Sequence, residues 1–130
     1  MGLDLLYEHD RQRIAGYQTR IDELLAEEAD ILEALKCTDG DGLDMLLIKI
    51  RAHEALGTRL LEQIRSDSKE LSGEYLTATG VYEATVESIL ARFLKLREMT
   101  TEAAEAFDTA GATGAAAERI EALRAFAKKL

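Results

Sequence analysis

The sequence contains no proline and no tryptophan, one cysteine and two histidines, and only 5% of its residues are aromatic. A lone cysteine cannot form an internal disulfide, which is typical of proteins from a reducing cytoplasm. No basic segment followed by an apolar block opens the chain, so we expect no secretory signal. The longest apolar run, Met45 to Ile48, is far shorter than the roughly 20 residues of a membrane span. We therefore predict a cytoplasmic protein that does not insert into membranes.

Positive charge is also scarce. The chain has 16 Lys and Arg against 25 Asp and Glu, a net charge of −9 at pH 7. Such a surface repels phosphate backbones, and no basic stripe with interleaved aromatics is present, so nucleic-acid binding is not expected. The charge is uneven, because residues 1–41 contain 11 acids and 4 bases whereas residues 112–130 contain 4 bases and 2 acids. Only the C-terminal segment is basic.

Apolar and charged residues dominate the composition. They make up 47% and 32% of the 130 residues, a mixture typical of long packed helices in one domain. We predict a single domain, residues 1–130, with an all-α fold. Its expected architecture is an elongated antiparallel bundle of three long helices plus a short C-terminal amphipathic helix.

Apolar residues recur every three or four positions along four segments, which is the pattern of helices that bury one face. The predicted helices cover residues 3–36, 43–71, 82–107 and 116–130. Asp39 or Asp41 is expected to cap the second helix after a glycine-containing turn. Residues 66–80 are rich in Ser, Thr and Gly and predict a turn before the third helix.

A few residues interrupt these rows of apolar residues, which we call the seams of the helices. Asp10 and Glu28 lie on the seam of the first helix and are expected to weaken it locally. His53 lies on the seam of the second helix, where a hydrogen-bonded structural histidine is the favoured interpretation. Gly57 costs about 1 kcal/mol of helix propensity relative to alanine. It indicates either a close neighbouring backbone or simple tolerance in a long helix.

The sequence lacks the residues of common catalytic centres. A di-iron bundle needs Glu-x-x-His on two helices, but Leu6 and Ile50 stand three positions before the two histidines. One cysteine and two distant histidines are a poor supply of zinc ligands. No Ser-His-Asp setting is recognisable. We predict a protein that is not an enzyme and that holds no metal and no cofactor.

The C-terminal helix combines apolar residues with basic ones. Its apolar face contains Ile120, Leu123, Phe126 and Leu130, and Arg124 lies beside it. Such a segment can dock on an acidic partner, on the acidic first helix of its own chain, or weakly on an anionic membrane. A helix of this length is only marginally stable alone. All three docking modes stay open at this point.

Residues 21–64 resemble the FlgN-type family of flagellar type III export chaperones. Members commonly show a helix with Leu-Leu-x-x-Glu and a terminal Ala-Leu, then an Asp/Gly turn and a second helix with paired leucines around a basic segment. The matching positions in this chain are Leu24 to Glu28, Ala34-Leu35, Asp39 to Gly42, Leu43, Leu46-Leu47, Lys49 and Leu60-Leu61.

This resemblance implies that the protein binds hook-associated cargo before secretion. The family's cargo contact is associated with the C-terminal portion. The corresponding candidate residues here are Phe107, Ile120, Leu123, Phe126 and Leu130. Arg124 and its basic neighbours would set the orientation of the cargo more than the strength of binding.

A self-associating structural or adaptor bundle is the alternative function. The third helix has an uninterrupted apolar seam, and Phe93 on that seam is expected to be exposed. Such a seam could pair with a second copy of the chain. A homo-oligomer is therefore the second expected type of partnership, beside binding of a cargo helix.

Overall fold

The structure is a computed structural model, with four helices among the residues that it describes. It describes the backbone of residues 2–37, 42–71, 73–110 and 114–130, and the side chains of residues 8–36, 42–71, 73, 75–106 and 117–130. The prediction of an all-helical fold is confirmed, with three long helices and one short one. They are α1 (Gly2–Cys37), α2 (Leu43–Asp67), α3 (Gly73–Ala110) and α4 (Gly114–Lys128).

The connection between α2 and α3 is shorter than the sequence predicts. α2 ends at Asp67 instead of residue 71, and α3 begins at Gly73 instead of residue 82. Gly73 has a φ of +60°, which suits the reversal of the chain. Within the first turns of α3, the hydroxyl groups of Thr77 and Thr79 donate to the carbonyls of Gly73 and Leu76. Thr79 is also buried, so packing overrides the weak helix propensity of this segment.

The turn between α1 and α2 falls mostly outside the described residues. Asp39 and Asp41, the predicted caps, are among the residues that the structure does not describe. α2 has Gly42 at its N-cap, which makes no side-chain cap hydrogen bond.

The predicted seams form the hydrophobic core. All the large apolar seam residues of α2 are buried, from Leu43 to Ile64, and Leu71 beyond the end of α2 is buried as well. On α3 the buried residues include Phe93, which is fully enclosed. The expectation of an exposed Phe93 is therefore wrong, because the seam of α3 is already covered by its own neighbouring helices. This burial removes the observation that motivated self-association through α3.

Glu28 is buried on the α1 seam and is held by an arginine from α3. Arg92 donates from Nε to Glu28 Oε2 at 2.7 Å and from Nη2 to Oε1 at 3.0 Å. These hydrogen bonds raise the pKa of the Arg92 guanidinium. The acid that was expected to weaken the seam thus joins two helices through a bidentate pair.

A second polar contact lies where α2 ends. The buried hydroxyl of Tyr17 donates to Asp67, and Gln63 Nε2 donates to the other carboxylate oxygen at 2.8 Å. Burial, together with this hydrogen bond, raises the pKa of the Tyr17 phenol. The ring of Tyr17 meets Tyr82 edge to face, with centroids 5.9 Å apart. Asp67 therefore joins α1 to α2 through a buried hydrogen bond.

Pairs between helices establish their directions. His53 Nε2 lies 3.2 Å from Glu27 Oε2, whereas Tyr17 meets Asp67, so α1 and α2 run in opposite directions. His53 is partly buried and faces Glu27 of α1, and its hydrogen-bonded structural role stays a prediction. At Gly57, an added Cβ would lie 2.8 Å from Leu90 Cδ2. The sequence left open a close neighbouring backbone at Gly57, but its close neighbour is the side chain of Leu90.

Candidate partner-binding surface

α4 docks on its own chain, against α3 and the end of α1. Leu123 is its anchor, with only 1% of its surface exposed. Ile120, Phe126 and Ala127 are partly buried and pack against the same core. The structure thus shows an intramolecular docking mode, with α3 as well as α1 forming the surface that receives α4.

Polar contacts hold the rim of α4. Arg124 Nε donates to the backbone carbonyl of Leu35 at 3.2 Å, next to the end of α1. A carbonyl in the last turn of a helix has no intrahelical partner, so an arginine there satisfies an otherwise free acceptor. The Arg124 guanidinium also donates to Glu121 within α4 at 2.9 Å. Arg124 therefore orients α4 on its own bundle in this structure.

The remaining predicted site residues, Leu130 and Phe107, differ from the buried face of α4. Leu130 is 43% exposed, so it is accessible to a partner without any movement of α4. The side chain of Phe107 lies outside the described residues, although its backbone belongs to α3. The structure brings Ile120, Leu123 and Phe126 together on one face.

An open groove of about 590 Å³ separates α4 from the last turns of α1. Leu32, Leu35 and Lys36 form the α1 side of the groove. The α4 side includes Ala125, Lys128 and Lys129 together with Glu121 and Arg124. An apolar floor with basic residues at the rim is suited to an amphipathic segment that carries acidic side chains.

Two parts of this surface are not evident from the sequence. The first is the α1 side of the groove, because no local pattern indicates which turn of α1 will meet α4. The second is the long ion pair between Arg119 Nη1 and Glu102 Oε2, at 3.8 Å. The basic C-terminal segment and the acidic segments before it indicate an electrostatic attraction. They do not indicate which acidic residue Arg119 will contact.

Other types of site have little support in the geometry. Among the residues that the structure describes, no group of three or more His, Cys, Asp and Glu could hold a metal ion. Within the same part of the chain, no helix combines the length and the apolar character that crossing a membrane needs. Comparison with protein families, with curated proteins and with solved structures finds no match for this chain.

Proposed function

We propose that this protein is a helical binding protein of the cytoplasm that holds an amphipathic helix of a protein cargo, as flagellar export chaperones do. In this proposal the four helices form an elongated antiparallel bundle with no catalytic role. The observation that carries the proposal is the docking of α4 through one fully buried large side chain, Leu123. A helix with a single fully buried large side chain is suited to exchanging its own docking surface for a cargo helix.

The energetics support such an exchange. α4 is 15 residues long, and isolated helices of that length are marginal in water. α2, by contrast, buries six large apolar side chains along 25 residues. Burying a leucine side chain contributes about 1.5–3 kcal/mol. Undocking α4 therefore costs a small part of the total stability, and burial of Leu123 and Phe126 against a cargo helix offsets that cost.

Exposed residues provide the first contact in this scheme. Leu130 and the lysine pair Lys128 and Lys129 are accessible in the docked state. Cationic side chains at the rim speed the encounter with an acidic segment more than they strengthen the complex. Release of α4 would then expose Leu123 and complete the apolar interface.

Affinity capture from the native cytoplasm tests the proposal. The full chain should retain a secreted protein that mass spectrometry identifies. Deletion of residues 112–130, and the double variant Leu123→Ala/Phe126→Ala, should lose that protein while far-ultraviolet circular dichroism shows that α1 to α3 remain helical. Leu76→Ala serves as the matched control, because Leu76 is exposed on α3. Retention of the same protein by the deletion variant would refute the assignment of cargo binding to α4.

A further inference from the structure

The outward face of α2 has an apolar stripe that no part of the proposed function uses. Met45 and Ile48 are 63% and 61% exposed. Ala52 and Ala55 are exposed as well. Steps of three, four and three residues put all four on one face of the helix, in the spacing of a coiled-coil seam. We name this set of four residues the α2 stripe.

Three cations surround the α2 stripe. Helical geometry puts Lys49 and Arg51 on opposite sides of it, and Arg59 continues it by one more turn. None of the three makes an ion pair or hydrogen bond with any residue that the structure describes. Arg65 on the same helix, in contrast, pairs with two glutamates of α3 at 2.8 Å. The stripe is thus a local basic surface on a chain with a net charge of −9.

We propose that the α2 stripe binds an amphipathic helix of a partner protein, one whose apolar seam is flanked by Asp and Glu residues. The apolar positions of the partner would cover Met45 and Ile48, and its acidic flanks would pair with Lys49 and Arg51. From Met45 to Arg59 the stripe and its last cation together extend about 21 Å along α2, enough for four turns of a partner helix. α4 packs on α3 and α1, so this surface is separate from the proposed cargo site and does not rest on it.

Charge selects this occupant over the two other candidates. In a symmetric pair of two copies through the α2 stripe, Lys49 and Arg51 would face the same cations across the twofold axis. An anionic membrane is an extended surface that would also approach the acidic remainder of the chain, whereas a partner helix contacts the basic stripe alone. Asp44 and Glu62 lie beyond the two ends of the stripe and leave its centre basic.

A pair of synthetic peptides tests the proposal with the full chain. Both peptides have three heptads with leucine at the seam positions; one has glutamate and the other lysine at the flanking positions. The like charges keep each peptide from pairing with itself. Fluorescence anisotropy should show that the glutamate peptide binds at least about tenfold more tightly than the lysine peptide. Added salt should reduce this difference.

Variants of the chain locate the binding. Ile48→Ser should weaken binding of the glutamate peptide by about tenfold or more, and Lys49→Glu/Arg51→Glu should reverse the preference between the peptides. Val81→Ser is the control, since Val81 is also 63% exposed but lies on α3. Its binding should remain within about twofold of the parent chain. All these side chains are exposed, so urea unfolding should confirm that each variant is as stable as the parent.

Four outcomes would overturn the proposal. The first three are equal binding of the two peptides, no binding of the glutamate peptide, and undiminished binding of that peptide by the Ile48→Ser variant. The fourth is evidence that something other than a partner helix covers the α2 stripe. Sedimentation of the chain alone as a dimer that Ile48→Ser dissociates would assign the stripe to a second copy. Cosedimentation with vesicles of phosphatidylcholine and phosphatidylglycerol that Ile48→Ser abolishes would assign it to lipid. Loss of the cytoplasmic cargo on deletion of residues 112–130 tests the α4 site independently.

Discussion

Replacing Leu123 with alanine is the most direct test of how α4 is held. The parent side chain is 1% exposed and belongs to the core. Leucine-to-alanine changes in cores cost about 2–5 kcal/mol. We expect a loss at the low end, about 2 kcal/mol, because α4 lies at the edge of the fold and can shift to close the space.

This loss should appear as local opening and not as global unfolding. A decrease of about 2 kcal/mol in docking free energy increases the population of the undocked state roughly 30-fold. Hydrogen exchange measured by mass spectrometry should therefore show faster exchange of α4 amides by about that factor. Amides in the middle of α2 and α3 should keep their protection.

Leu130→Ala is the matched control, because its side chain is 43% exposed. Its exchange rates in α4 should change by less than about threefold. Unchanged exchange in Leu123→Ala would contradict the role of Leu123 as an anchor. Equal loss of protection in all four helices would show that α4 unfolds only with the whole chain, and would refute the proposed exchange with cargo.

Three further predictions concern stability, each measured by urea unfolding. Thr100→Val should stabilise the protein by about 1 kcal/mol, because the buried Thr100 hydroxyl has no hydrogen-bond partner among the described residues; a destabilised variant would contradict this. Arg92→Met should destabilise by about 3 kcal/mol because it leaves the buried Glu28 carboxylate unpaired, and Glu28→Met in the same chain should recover most of the loss; additive losses would count against the pair. Gly80→Ala should stabilise by about 1 kcal/mol since an added Cβ meets nothing within 4 Å, while Gly73→Ala should destabilise by about 1 kcal/mol because its φ is +60°; the same sign for both would refute the argument.

Local periodicity explains why the buried faces were predictable. A residue on a helix shares its face with residues three and four positions away, so the seam of α2 from Leu43 to Ile64 is evident without any tertiary information. The same reasoning failed for the first turns of α3. There the threonines and Gly80 have low helix propensity, and burial of Thr79 decides the conformation.

The candidate binding surfaces were less predictable. The sequence identified the apolar face of α4, because that face is local. It did not indicate whether Leu123 would be covered by α3 and α1, nor that Arg124 would reach the carbonyl of Leu35. Met45 and Ile48 belong to the longest apolar run, yet the helix turns Leu46 inward and leaves these two exposed.

The sequence by itself determined that the chain is helical, where most of its apolar seams lie, and that the chain is acidic overall with a basic segment at its C-terminus. These properties follow from composition and from contacts between residues within a turn of each other. Only the tertiary structure decided which acids are paired, as Glu28 is with Arg92 across 64 positions, and which apolar residues remain exposed. Such contacts join segments far apart in the chain, and their geometry depends on how whole helices pack.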